Sequence, residues 1–533
     1  MSTATYGGVI GGGAPLEGDA LRAMQRRRFL GFWAMALGSF MAILDIQIVA
    51  SSINEIRAGL SASIDEIQWV QTAYLIAEVI AIPLSGYMTR MLSTRIYFVI
   101  SAVGFTLASL ACASAWNLSS MVVFRALQGL LGGGMIPTAF ATMFVLFPDQ
   151  KSRAMPQVLT GMMTMSASSL GPTIGGYVTG IMSWHWLFLL NLGPGILCGW
   201  AVWSLVDIDR PQPEMIRRFD LWGLLFMAVF LGCLEYTLDD GPRHDWFSDD
   251  SVAICATLAL AGGVLFFWRA FSATHPVVDL RSFRDRNFAV TSLVSTILGM
   301  GMFTLIYLTP VFLGQVSGYN PLQIGEVMMI QGGSMFFCAP LAGRMQTRLD
   351  ARVVIAIGLV LISTGTFLNS GLTADWGYAQ FALPQALRGA GFVFSFIPLT
   401  GLALGTLPPS EVHNASGLFN VTRNLGGALG LAVITTLINQ RTWLHWQQLA
   451  EATRLSREPV REALGQMRGL LQPQLGGASG AGSLGMLAQQ AQLQAATMTY
   501  GDMYRLLGWC VMLSLLLIPL LQKPRAAAVA GGH

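Results

Sequence analysis

The sequence predicts an all-α integral membrane protein: two six-helix bundles in tandem with two further helices inserted between them, about fourteen spans in all. Three observations carry this. The chain is 53% hydrophobic and only 11% charged, with a mean hydropathy of +0.56, whereas soluble domains carry about 25% charged residues. Apolar runs of roughly twenty residues recur, the length at which a helix crosses about 30 Å of hydrocarbon. The two halves also echo each other. Arg125-Ala-Leu-Gln128-Gly129 returns as Gln385-Ala-Leu-Arg388-Gly389, and Pro83-Leu-Ser-Gly86 as Pro340-Leu-Ala-Gly343. Both echoes stand about 260 residues apart, as a parallel internal repeat around a central site requires.

Taken in order, residues 1–28 are Gly-rich at first, lack a signal-peptide core, and are expected to form a disordered cytoplasmic tail. The first bundle, 29–206, holds spans near 31–52, 68–89, 96–115, 120–146, 154–180 and 185–206. A half of about 175 residues is too short to account for a repeat shift of about 260. The surplus is 207–287, with spans near 220–238 and 251–271. The second bundle, 288–521, holds spans near 288–314, 323–346, 353–371, 377–406, 414–438 and 503–521, and 522–533 is a tail. Within it, 439–502 is polar and rich in Gln, Leu and Ala; 447–471 has helical spacing and 476–485 reads as a Gly/Ser hinge. Such a segment is either a solvated loop or a docking surface.

Lys and Arg set the orientation. With the N-terminus cytoplasmic, inside segments hold Arg26, Arg27, Arg28, Arg90, Arg95, Arg153, Arg210, Arg217, Arg281, Arg284, Arg348 and Arg352 among others, while short outside loops hold Arg57 and Arg243. Both termini are therefore expected inside. The net charge of +3 is too small to imply nucleic acid. Six cysteines without a Cys-x-x-Cys pair and six scattered histidines argue against metal, redox or catalytic chemistry, so no enzyme and no cofactor are expected.

Charged residues inside spans are costly and point to function. Asp45 in the first span and Arg125 in the fourth fall at a similar depth, slightly beyond the midplane. They read either as a packing salt bridge or as a proton switch in which the carboxylate's charge depends on Arg125. Glu78 lies near the midplane of the second span and either takes a proton or pairs with a cation. Glu326 and Glu235 stand nearer the ends of their spans, where hydration is expected. Arg423 and Asn424 occupy the thirteenth span, and Arg388 replaces Arg125 in the second half or holds an anion. Met41, Met165 and Phe394 are candidate walls of an adaptable apolar cavity, with Gln128 a polar candidate beside Arg125. Gly171, Gly175 and neighbouring small residues make one smooth face of the fifth span, bent at Pro172, expected to pack across the outer ends of the two halves.

Leu44-Asp45, Arg125-x-x-Gln128-Gly129 and Gly171-Pro172-x-x-Gly175-Gly176 resemble motifs of major facilitator antiporters, the last being similar to a motif of exporters. Residues 238–247 (LDDGPRHDWF), 275–288 (HPVVDLRSFRDRNF), 396–400 (FIPLT) and 407–427 (LPPSEVHNASGLFNVTRNLGG) resemble the EmrB branch of the fourteen-span EmrB/QacA drug:proton antiporters. The resemblance covers about 29–521. It implies the major facilitator fold and multidrug efflux of hydrophobic or amphiphilic compounds by alternating access, driven by the proton gradient without a cofactor. Asp45, Arg125 and Glu78 would couple protons, and Gly171, Pro172, Gly175 and Gly176 would serve the conformational change. It further implies a bacterial inner-membrane protein conferring antibiotic resistance. Its partners would be a periplasmic membrane-fusion adaptor similar to EmrA and an outer-membrane channel. A dedicated exporter of one metabolite, siderophore or fatty acid is the alternative. One departure stands out: where the wider superfamily carries an acid after Gly86, this chain has Arg90.

Overall fold

The apolar runs close into long helices because a backbone out of reach of water must satisfy its own hydrogen bonds. A computed structural model describes residues 18–522, apart from 64, 148–149, 409–410, 454–456 and 476–478. The first half comprises α1 (Gly18–Ser51), α2 (Ile53–Leu60), α3 (Trp69–Leu92), α4 (Thr94–Ala113), α5 (Leu118–Gly132), α6 (Met135–Leu146), α7 (Gln150–Ile181), α8 (His185–Leu189) and α9 (Leu192–Leu205). Next come α10 (Leu221–Asp240) and α11 (Asp250–Ser272), then α12 (Arg286–Gln315), α13 (Pro321–Arg348), α14 (Ala351–Asn369), α15 (Tyr378–Gly405), α16 (Val412–Ala452), α17 (Glu458–Leu475) and α18 (Ser479–Leu513). Side-chain caps start several of them. Asn117 and Ser120 form a capping box on α5, Asn320 and Gln323 one on α13, and Asp285 caps α12. Asp220 caps α10 and also accepts from Arg269 Nε at 2.9 Å, tying the two inserted helices together.

Thirteen stretches among the described residues are long and apolar enough to cross a membrane. The fourteenth expected span is α7, whose 32 residues are ample in length but diluted by serine and glycine, as befits a helix packed between α1 and α13. Two spans are built of paired helices. α5 and α6 meet at Gly133-Gly134, and α8 and α9 meet at Leu190-Asn191.

Three expectations are corrected. The tail predicted to be disordered is helical from Gly18 onward, since 19–30 offers good helix formers with no proline or glycine to stop α1; residues 1–17 lie outside the described residues. Likewise, 439–502 is no open loop. α16 runs on to Ala452, α18 begins at Ser479, and the two pair along a helical projection on which α17 packs. Thr442 Oγ1 donates to Thr499 Oγ1 at 3.2 Å, and His445 Nε2 lies 2.9 Å from Asp502 Oδ2. The predicted Gly/Ser hinge is, from Ser479 to Gly485, the first turns of α18; 476–478 lie outside the described residues. Finally, the smooth face of α7 meets its own half. A Cβ on Gly171 would fall 2.2 Å from Gln47 Cβ, and one on Gly175 2.5 Å from Ser51 Oγ, both on α1. Thr173 is what α7 turns toward α13, at Gly325.

The arginine-rich loops share one face, here termed the basic face. Arg27 Nη2 donates to Ser204 O at 3.1 Å, Gln212 N to Met91 O at 3.0 Å, and Arg352 Nη1 to Leu521 O at 3.0 Å. Toward that face the two halves are closed on each other. Ser416 Oγ donates to Pro137 O at 2.8 Å, and Gln157 Nε2 donates to Ile397 O. A Cβ on Gly86 would come within 2.9 Å of Asn414 Cα, so glycine is what lets α3 and α16 touch here. Toward the opposite face a cavity separates α1 from α12, and α10, lying against α3 and α16, supplies part of its wall.

Candidate functional site

Two adjoining polar features occupy the middle of the molecule. The first is sealed. Gly129 and Gly133 press α5 against α3: a Cβ on Gly129 would fall 2.3 Å from Tyr74 O, and one on Gly133 2.9 Å from Glu78 O. This approach carries Arg125 under α3, where Nε donates to Val70 O at 3.1 Å and the guanidinium lies 4.2 Å from the Tyr74 ring centroid. Arg125 Nη1 donates to Asp45 Oδ2 and to Gln128 Oε1, each at 2.7 Å. Asp45 Oδ1 accepts from Gln128 Nε2 at 3.1 Å and from Asn191 Nδ2 at 2.6 Å; Asn191 also reaches Ser109 Oγ at 3.0 Å. Both ionic side chains are 0% exposed. A buried ion pair survives only with such additional hydrogen bonds, and losing one partner typically costs about 3–5 kcal/mol.

The second feature is the cavity, enclosing about 1310 Å³ of empty space with its mouth included. Ile43 and Ile46 of α1, Val79 of α3, and Met302, Phe303 and Ile306 of α12 give it apolar walls. Into it face Glu78 from α3, Glu235 from α10, and Arg423 and Asn424 from α16, with Asp239, Arg243 and Tyr307 toward the mouth. Glu78 and Glu235 are 4% and 7% exposed, yet neither has a hydrogen-bond or ion-pair partner among the described residues. The Arg423 guanidinium lies 5.2 Å from the Phe396 ring centroid. Asp239 accepts a hydrogen bond from Thr72 Oγ1, and Arg243 Nη2 donates to Gln68 Oε1 at 3.2 Å. Apolar walls strip water from an amphiphile, while unpartnered carboxylates and a guanidinium offer protons or charge pairing.

The two features share one helix stripe. Val70, Tyr74 and Glu78 follow each other at i+4 spacing on α3, so a single face bonds Arg125, covers its guanidinium and reaches the cavity.

Of the residues singled out from sequence, Asp45, Arg125 and Gln128 come together in the sealed network, and Glu78, Arg423 and Asn424 in the cavity. The others lie elsewhere. Met41 packs with Phe98 and Phe105 inside the first half, and Phe394 belongs to a buried apolar cluster that runs from Ile136 and Phe140 of the first half into the second. Glu326 is exposed beside Met329, Ile330 and Tyr378, apart from the cavity. Arg388 is fully buried, with Nη2 donating to Gln385 Oε1 at 2.7 Å and the Tyr504 ring centroid 5.7 Å away, and it does not line the cavity. The side chain of Met165 lies outside the described residues. Gly171, Gly175 and the half-buried Pro172 and Gly176 lie along α7 as described above. One residue escaped the sequence reading and the surroundings of another were misjudged. Asn191 was hidden at the end of an ordinary apolar run, its one signal being a polar residue where the helix breaks. Glu235 is not the hydrated end-of-span acid its position suggested, because α3 and α16 enclose it.

A two-half helical bundle around a central cavity, closed on one face, is the architecture of a membrane transporter built from two repeats. Residues 35–431 match the model of the Major Facilitator Superfamily, and the chain belongs to that family. It is 43% identical over 477 residues to the colistin resistance protein EmrB of Acinetobacter baumannii, covering 90% of this chain and 93% of that protein. It is 28% identical to the multidrug export protein EmrB of Escherichia coli strain K12, covering 97% and 98% respectively. In fold it is similar to the proton:xylose symporter XylE, with a TM-score of 0.58 at 13% identity over 91% of this chain and 95% of that one. The protein is therefore a multi-pass membrane transporter of the EmrB type.

Proposed function

We propose that this transporter exports hydrophobic or amphiphilic compounds in exchange for protons, with Asp45 as the coupling carboxylate. The observation that carries this is the α3 stripe joining a dry Asp45–Arg125 pair to a cavity containing Glu78. In the conformation described, Arg125 neutralises Asp45 and neither meets water. When the halves 29–206 and 288–521 rock, with 207–287 inserted between them, the pair loosens and Asp45 takes a proton from the other side. A substrate or proton arriving at Glu78 acts on the same helix face that holds Arg125, which links occupancy to the pair.

The arginine distribution supports an inner-membrane placement with both termini and the basic face cytoplasmic, so the cavity opens to the periplasm and the helical projection of α16–α18 extends into it. The names of the two EmrB relatives, one for colistin resistance and one for multidrug export, support an efflux role. A pump delivering amphiphiles only to the periplasm would let them re-enter. The projection is accordingly the docking surface for a membrane-fusion adaptor that leads to an outer-membrane channel. Everted membrane vesicles test the export step. Vesicles containing the protein should accumulate a fluorescent amphiphile when their interior is acidified and lose it when the pH gradient is collapsed. Accumulation indifferent to the gradient contradicts the proposal.

A further inference from the structure

Helices α10 and α11 are the part of the chain that a repeat of two six-helix halves does not require. They do more than fill space at the edge, because α10 brings Glu235 into the cavity between α3 and α16, the helices of Glu78 and Arg423. Glu235 is 7% exposed and without a partner among the described residues. At the mouth Asp239 and Arg243 carry opposite charges that offset each other, and each is hydrogen-bonded to a neutral side chain, Thr72 and Gln68 respectively. Arg423 offsets the charge of only one of the two unpartnered carboxylates. An amphiphile carrying a positive charge would supply the missing counter-charge, with Phe303 and Tyr307 on the α12 wall as aromatic faces for an ammonium group.

We propose that Glu235 on the inserted helix α10 is the residue that selects positively charged amphiphiles, so that the inserted helices form part of the substrate site. This rests on the export reading above. Glu235 meets the cationic head while the apolar α1 and α12 walls take the hydrophobic body. An uncharged amphiphile gains only the second contribution.

The full chain in lipid nanodiscs provides the test, with a fluorescent quaternary-ammonium amphiphile and an uncharged amphiphile of similar size as probes. The ratio of their affinities should fall at least roughly tenfold in Glu235→Gln and recover in Glu235→Asp. A merely structural role would weaken both probes together and leave the ratio intact, which overturns the proposal. So does a wild-type protein that binds the cation no better than the uncharged probe. Proton-driven transport of the two probes by wild-type protein in proteoliposomes separates the two proposals. Transport without a Glu235-dependent ratio sinks only the selectivity role, and absence of transport for both probes sinks the export reading beneath it.

Discussion

Arg125 on α5 holds Asp45 on α1 at 2.7 Å in a site to which neither side chain admits solvent. The carboxylate that would exchange protons is thus outside the cavity, with Gln128 and Asn191 filling its other oxygen's contacts. On the proposed mechanism proton exchange requires a rearrangement that opens this site, which makes the energetics of the pair the quantity to measure.

Removing the cation alone should be severe. Arg125→Ala leaves Asp45 buried without its counter-charge and should lower stability by about 3–5 kcal/mol. The double variant Asp45→Asn with Arg125→Ala removes the orphan charge and should recover part of that loss. Thermal unfolding of the detergent-solubilised variants reads both; equal losses in the single and double variants would show that Arg125 matters only as packing.

Glu78→Gln should change coupling or shift the range of exported compounds at unchanged protein level, since the side chain faces the cavity with no hydrogen-bond or ion-pair partner among the described residues. Transport of several charged and uncharged substrates at matched expression checks it. An unaltered profile across all of them rules out a role for the Glu78 charge.

Gly129→Ala would set a Cβ 2.3 Å from Tyr74 O, forcing α5 off α3. Overpacking of this kind costs about 1–3 kcal/mol, and here it also displaces Arg125. By contrast, a Cβ on Gly480 near the start of α18 meets nothing within 4 Å. Gly480→Ala should therefore be neutral or stabilise by up to about 1 kcal/mol through helix propensity. Comparing the unfolding temperatures of the two variants separates crossing geometry from propensity.

Replacing residues 447–492 by a short Gly/Ser link should leave the membrane bundle folded, because the Thr442–Thr499 and His445–Asp502 contacts at the base of the projection remain. Co-purification of a membrane-fusion adaptor and whole-cell resistance should both fall. Undiminished adaptor capture by the shortened protein would place the dock elsewhere.

Much of this architecture is legible in the sequence because hydrocarbon imposes a simple rule, long apolar helices, and arginine placement imposes another. Asp45 with Arg125 could be paired from depth alone, since two opposite charges within apolar spans have few other partners. Rotation about a helix axis was harder to read. Met41, Phe394 and Arg388 lie at plausible depths but turn into buried packing rather than into the cavity. Glu235 needed the position of α10 against α3 and α16, which hydropathy does not encode. The projection was missed as an extended helical pair because polar helices leave no hydropathy signal, although their Ala, Leu and Gln content favours helix.

Substrate-driven proton movement in proteoliposomes, wild type against Asp45→Asn, tests the central claim most directly. Asparagine keeps the shape of aspartate and one acceptor oxygen, but it leaves the buried Arg125 without its counter-charge, a loss of about 3–5 kcal/mol, so the flux is compared at matched amounts of folded, reconstituted protein. The account predicts that adding an exported amphiphile drives proton flux through the wild-type protein and none through the variant. Equal flux through both would show that Asp45 is not where the proton binds.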